Sequence, residues 1–218
     1  MENGMEWLSG NPCDVQTVME LLSPYAKPET TDTVLADIGC GDGETLAWLS
    51  AHTPYQLHGV EPEPSRLEAA KIACPGVVFM GASAENLPYA DGFLDLALME
   101  CVFSLILEPE KAASELARTM KRDGVVLLAD LYAQAGEDAY IDECDCLGHI
   151  YARQSIEYFF TKNGFILLAF HDRSGDLRAS VAQGIMSGKG MDGIDKDSLS
   201  RLRQVKAGYG IWLWKKAG

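Results

Sequence analysis

The chain has 218 residues, 47% hydrophobic and 23% charged, with 32 acidic against 18 basic side chains and a net charge of −14. That length favours one domain that buries a full core, and the acidity disfavours nucleic acid and anionic membranes and leaves a small molecule as the expected partner. No apolar run reaches the roughly 18 residues of a membrane span, and the acidic start Met1-Glu-Asn-Gly-Met-Glu lacks the basic region of a signal peptide, so the expected location is cytoplasmic.

Residues 1–30 read as a helical leader. Val15–Leu22 has helical spacing, with Asn11 or Asp14 as its cap and Pro24 as its stop. From residue 34 onward short apolar runs alternate with amphipathic stretches, the signature of βαβ units and a parallel sheet. Strands are predicted at 33–38, 56–60, 76–80, 94–99, 124–131, 165–172 and 208–215. Helices are predicted at 44–52, 64–73, 109–121, 153–163 and 195–206, with a short turn at 84–87. Pro62 and Pro64 bracket the start of the second of these, where proline is tolerated. Gly124 and Gly164 are placed as helix C-cap glycines. Residues 132–152 and 173–194 break the alternation and are expected to form substrate-side lids or loops. The whole chain, 1–218, reads as a single doubly wound α/β domain without repeats.

The richest stretch is Val34-Leu-Ala-Asp-Ile-Gly-Cys-Gly-Asp-Gly-Glu44. An apolar strand ends in Asp37, glycines follow at 39, 41 and 43, and helix-like sequence begins at once. Glycines at that spacing let backbone approach a ligand with no Cβ in the way, and the helix N-terminus behind them offers free N–H groups to an anion. Position 44 is Glu, so the dinucleotide G-x-G-x-x-G is absent, which disfavours a nicotinamide oxidoreductase. No Lys follows, so the stretch is not a phosphate-binding P-loop either.

The G-x-G-x-G turn with Asp37 before it resembles motif I of the class I S-adenosylmethionine-dependent methyltransferases. That resemblance extends over roughly residues 15–170. It implies a Rossmann-like seven-stranded sheet in the order 3-2-1-4-5-7-6, its last strand antiparallel. It also implies S-adenosylmethionine as cofactor, with S-adenosylhomocysteine as product. The ligand's carboxylate would face the helix N-terminus, its ammonium would face Asp37, and Gly39, Cys40, Gly41 and Gly43 would line it.

Glu61 ends the second strand, 24 positions after Asp37, where an acid can accept from both hydroxyls of a ribose. Pro62 beside it joins the same candidate set. In Phe79-Met-Gly-Ala-Ser-Ala-Glu-Asn-Leu-Pro88 the resemblance implies an adenine loop, with Ser83 where the family usually has Asp, then Ala84 and Glu85. Asp95 is expected to begin the fourth strand and fix structure. Glu100 and Cys101 lie at its carboxyl end, where the methyl group would sit. His149, Tyr151, His171 and Glu100 are possible bases, and His58 reads as packed core.

Six cysteines occur without a C-x-x-C pair, so neither a disulfide framework nor a zinc ribbon is expected, and no metal ligand set is assigned. Glu100-Cys101-Val-Phe-Ser-Leu and Cys146-Leu-Gly-His-Ile-Tyr are similar to segments of arsenite methyltransferases. That similarity implies Cys101 and Cys146 as thiolates for a soft metalloid, with His149 close by. Two functions therefore accompany methyl transfer to a small-molecule acceptor by in-line displacement. One is the metalloid version, and the other is a non-catalytic cofactor-binding sensor. The sequence assigns no oligomeric state.

Overall fold

The computed structural model describes residues 14–25, 30–144, 147–186, 200 and 202–218. Among these residues the strands are β1 (Val34–Ile38), β2 (Gln56–Val60), β3 (Val78–Met80), β4 (Leu94–Glu100), β5 (Met120–Ala133), β6 (Ala139–Cys144), β7 (Leu147–Ile150), β8 (Phe165–Asp172) and β9 (Ala207–Lys216). The α-helices are α1 (Val15–Leu22), α2 (Glu44–His52), α3 (Pro64–Ala73), α4 (Pro109–Thr119), α5 (Arg153–Lys162) and α6 (Ser174–Met186).

Seven strands form one sheet in the order β3-β2-β1-β4-β5-β9-β8. Pairings from β3 to β5 are parallel. The last strand, β9, runs antiparallel to both neighbours, β5 and β8. With the separate β6–β7 hairpin set aside, this is the order expected from the sequence. β1 and β4 lie in the middle and are buried almost throughout, which is why they read as continuous apolar runs. Strand alternation sends Val34, Ala36 and Ile38 to one face, with Ala112 and Leu116 of α4 and Ile156 and Phe160 of α5. Leu35 goes to the other, with α1 and α2. Trp214 stacks on Phe160 at 4.8 Å in the first of these layers. Each such buried ring contributes on the order of 1.5–3 kcal/mol.

Local signals hold at several places. Asp14 caps α1 by accepting the Thr17 N–H at 2.8 Å, and the helix stops before Pro24. Gly164 takes a left-handed φ of 82° just past α5. His58, in β2, sits with its ring 5.6 Å from both Tyr89 and Phe93.

Residues 84–87 form the short turn predicted there, closed by Asn86 N–H on the Ser83 carbonyl, and Pro88 follows too soon for a second turn. Elsewhere the structure differs from the prediction. Gly124 lies inside β5 and caps nothing. β5 begins at Met120, directly after α4, and its register against β4 shifts between Leu94 and Leu96 to absorb the intervening residues. Asp123 takes a positive φ there. Residues 132–152 continue β5 and then form the hairpin, and 174–186 are helical. Of the predicted helix 195–206, residues 195–199 and 201 lie outside the described residues, as do 1–13, 26–29 and 187–194, while 200 and 202–204 are helical.

Candidate active site

At the carboxyl end of β1 the chain turns back on β2. The Gly39 and Cys40 N–H groups both donate to the Val60 carbonyl, at 2.7 and 3.1 Å, and the Gly43 N–H donates to the Cys40 carbonyl at 2.9 Å. Gly39 has φ 79°, and a Cβ there would stand 2.4 Å from Val102 Cγ2. Gly43 has φ 87° and serves as N-cap of α2 with no side-chain cap. The first N–H groups of α2 therefore remain available to a ligand anion. The Cys40 thiol is buried against Gly59 and pushed up by that burial, so this residue offers its backbone to the turn.

Three acids reach the same place from three adjacent strands. Asp37 is the penultimate residue of β1, Glu61 directly follows β2, and Glu100 ends β4. Leu35, Leu57 and Leu98 mark the α2 face of their strands. Asp37, Glu61 and Glu100 lie an even number of residues beyond them, so all three follow the alternation of that face. Burial raises the Asp37 carboxyl well above the usual range, and the negative charges of Glu100 and Glu61 raise it further. Glu61 accepts the Gly41 N–H at 3.0 Å and the Glu63 N–H at 2.9 Å. A carboxylate has about four lone-pair directions, so Glu61 keeps acceptor capacity. The Thr45 hydroxyl stands 3.5 Å from Glu100 Oε2, a long contact.

The loop after β3 starts beside Glu61, whose N–H donates to the Met80 carbonyl at 3.2 Å. Ala84 is buried, Ser83 and Glu85 are half-buried, and Pro62 is exposed. The loop is pinned from α4. Glu115 accepts the Leu87 N–H at 2.9 Å, and Arg118 donates to the Leu87 and Tyr89 carbonyls at 3.1 and 2.7 Å and to Asp91 at 2.9 Å. An acid and a guanidinium at i, i+3 on one helix were the available signal.

Beyond Glu100 the backbone turns sharply. Cys101 has φ 54°, and its N–H donates to the Ala129 carbonyl at 2.8 Å. The residue is exposed, yet its thiol lies 3.6 Å from the hydroxyl of fully buried Tyr209. Burial, with the charge of Asp130 next, pushes that thiol up to about 12. Asp130 is buried under the Ser104 and Leu131 N–H groups, and burial outweighs these bonds to bring it up to about 6. Tyr209, 108 residues from Cys101, was beyond sequence reasoning. His149 stands in the hairpin between Tyr140 and Tyr151. Cys146 lies outside the described residues. Asp95 sits at the opposite end of β4, where it accepts the Val34 N–H at 3.1 Å and Lys121 Nζ at 2.6 Å, a structural role. Among the described residues no group of three or more His, Cys, Asp or Glu is arranged to hold a metal ion, and no helix is long and apolar enough to cross a membrane.

Residues 36–128 match a family described as Methyltransferase domain. A curated relative is the ubiquinone/menaquinone biosynthesis C-methyltransferase UbiE of Campylobacter jejuni. It is 29% identical over 170 residues, which cover 67% of this chain and 71% of that one. Among solved structures, geranyl diphosphate C-methyltransferase from Streptomyces coelicolor superposes with a TM-score of 0.76 at 14% identity, over 93% of this chain and 79% of that one. The [4+2]-cyclase SpnF superposes with a TM-score of 0.70 at 18% identity, over 92% and 81%. These two likenesses are of fold alone. Domain match, curated relative and topology agree in supporting a class I S-adenosylmethionine-dependent methyltransferase.

Proposed function

We propose that this enzyme methylates a small organic acceptor, and that Asp37, Gly39, Cys40, Gly41, Gly43, Glu61 and Glu100 hold the cofactor. The observation that carries this reading is the convergence of three carboxylates on a glycine turn at a helix N-terminus. The donor set fits the ligand. Asp37, buried between two other acids, calls for a cation such as the ligand's ammonium. The uncapped N-terminus of α2 calls for a carboxylate. Glu61 has lone pairs left for ribose hydroxyls, and the loop Ser83–Glu85 with Pro62 borders the base. When bound, S-adenosylmethionine supplies a methyl group already activated on a sulfonium and open to in-line displacement.

The protein's part is to position and to exclude water, which contributes about 7–11 kcal/mol when the geometry is good. Glu100 and Cys101 border the acceptor side. His149 is assigned as the base that takes a proton from an acidic acceptor. The UbiE relative is named as a C-methyltransferase of ubiquinone and menaquinone biosynthesis, which favours such an acceptor here. Cys101 is held as a protonated thiol, whereas a soft metalloid needs a thiolate, so the metalloid reading gains no support from its surroundings.

Calorimetry with S-adenosylhomocysteine tests the proposal. Micromolar binding is expected for the intact chain and its loss for Asp37→Ala and Glu61→Ala. Absence of binding to the intact chain would overturn it, and binding without turnover on any acceptor would favour a sensor.

A further inference from the structure

The turn after β4 stands between two parts of the chain that the main sheet does not join. On one side Val102 packs on the glycine turn, where a Cβ on Gly39 would stand 2.4 Å from Val102 Cγ2. On the other side the Ser104 carbonyl lies on β7, where a Cβ on Gly148 would stand 2.5 Å from its oxygen. Phe103, between them, meets Tyr151 and Phe160 with ring centroids 5.9 and 5.7 Å apart. Contacts this close leave no slack, so a shift of the turn is felt at both ends.

The turn has little of its own to hold this place. Residues Phe103–Leu105 form a single 3-10 turn, closed by the Leu105 N–H on the Val102 carbonyl at 3.0 Å and the Ile106 N–H on the Phe103 carbonyl at 3.2 Å. Hydrogen-bond geometry in such short pieces is poor. The chain enters it through Cys101, whose φ of 54° is strained for a residue with a side chain.

Two bonds to β5 fix it instead. The Cys101 N–H donates to the Ala129 carbonyl at 2.8 Å, at the entry of the turn. The Ser104 N–H donates to Asp130 Oδ2 at 2.9 Å, in its middle. Asp130 is only 1% exposed, and its other oxygen accepts the Leu131 N–H at 2.7 Å. Both partners are donors, so the ionised carboxylate is the form that suits the turn. A turn that needed only a local cap would be served by an exposed Ser, Asn or Asp. Burying a charge to do it is costly, and what this charge secures is the turn's place against two other elements.

Building on the cofactor reading proposed above, we infer that Asp130 is a positioning residue for methyl transfer. Through the Ser104 N–H it pins the turn Cys101–Leu105 against the glycine turn and the β6–β7 hairpin at once, and so couples cofactor occupancy to the acceptor-side wall. A ligand that orders the glycine turn orders Val102 with it. With Ser104 pinned, that order reaches Gly148, and the hairpin settles once the cofactor is in place.

The test is amide hydrogen exchange, read by NMR on the full-length protein with and without saturating S-adenosylhomocysteine, beside calorimetry and urea unfolding. Asp130→Asn keeps the side chain's size but replaces one acceptor oxygen by a donor. Asp95→Asn is the control, because Asp95 is a buried carboxylate that accepts the Val34 N–H at 3.1 Å at the opposite end of β4. In the parent, S-adenosylhomocysteine should slow exchange at Ser104, Leu105 and residues 147–150 at least fivefold. Asp130→Asn should bind it within tenfold of the parent and lose the response at 147–150. Asp95→Asn should lower the urea midpoint and keep that response, which a merely structural role for Asp130 would also leave in place.

The inference is overturned if S-adenosylhomocysteine binds the parent and leaves exchange at 147–150 unchanged, or if Asp130→Asn responds like the parent. The first result needs no variant and decides the matter even if Asp130→Asn fails to fold. Absent binding to the parent is a different result, which overturns the cofactor reading and this inference with it.

Discussion

The Glu61 carboxylate accepts the Gly41 N–H at 3.0 Å, so the acid after β2 holds the glycine turn after β1. Its second oxygen takes the Glu63 N–H at 2.9 Å and fixes the entry to α3. Glu61→Ala strands the buried Gly41 N–H and frees the part-buried Glu63 N–H. It should cost about 1–3 kcal/mol of stability and weaken S-adenosylhomocysteine binding at least tenfold. Urea unfolding and calorimetry on the same preparation measure both.

Gly39 and Gly92 both have positive φ, at 79° and 63°. A Cβ on Gly39 meets Val102 at 2.4 Å, while one on Gly92 meets nothing within 4 Å. Gly92→Ala should therefore cost only backbone strain, about 1–2 kcal/mol. Gly39→Ala should cost more and also lose cofactor binding, because Val102 or the turn must move. Equal melting temperatures for the two variants would contradict this.

Asp37 binds its proton more tightly in the folded state, through burial first and then the charges of Glu100 and Glu61. The stability this contributes is complete below the unfolded-state pKa and is lost as pH rises through the folded-state value. Ionised Asp37 thus weighs against the ligand-free fold at neutral pH. Asp37→Asn should raise the urea midpoint at pH 7–8, by an amount that shrinks toward pH 4, and should weaken ligand binding at pH 7. A midpoint difference independent of pH would refute the assignment.

Arg118 spans Leu87, Tyr89 and Asp91 with a planar fork that lysine cannot reproduce. Arg118→Lys should loosen residues 87–91 and weaken S-adenosylhomocysteine binding severalfold without the side chain touching the ligand. Faster hydrogen exchange confined to that loop is the accompanying readout.

With its thiol near 12, Cys101 is a poor nucleophile in the folded protein. Iodoacetamide at pH 8 should label it more than tenfold slower than in the urea-unfolded chain, as peptide mass spectrometry would record. Rapid native labelling would mean that the Tyr209 contact does not persist.

Much of this was legible before any coordinates. β1, the three glycines and α2 are contiguous in the chain, so their pattern of burial and turn chemistry is written locally. The main-sheet strands were readable for the same reason, because buried parallel strands are short apolar runs. The hairpin was not. Residues 139–150 mix acids, cysteines and aromatics with no clean alternation, so no strand pair stands out in them.

By itself the amino-acid sequence determined the strand–turn–helix at Asp37–Glu44, the position of Glu61 and the kind of sheet, because each rests on residues near in the chain whose backbone preferences and burial act together. Only the tertiary structure decided that Asp37, Glu61 and Glu100 share one charged neighbourhood, that Cys101 meets the Tyr209 hydroxyl, and that Arg118 anchors the loop before β4. Those relations join residues 24 to 108 positions apart, and strand order and register, which no local preference encodes, bring them into contact.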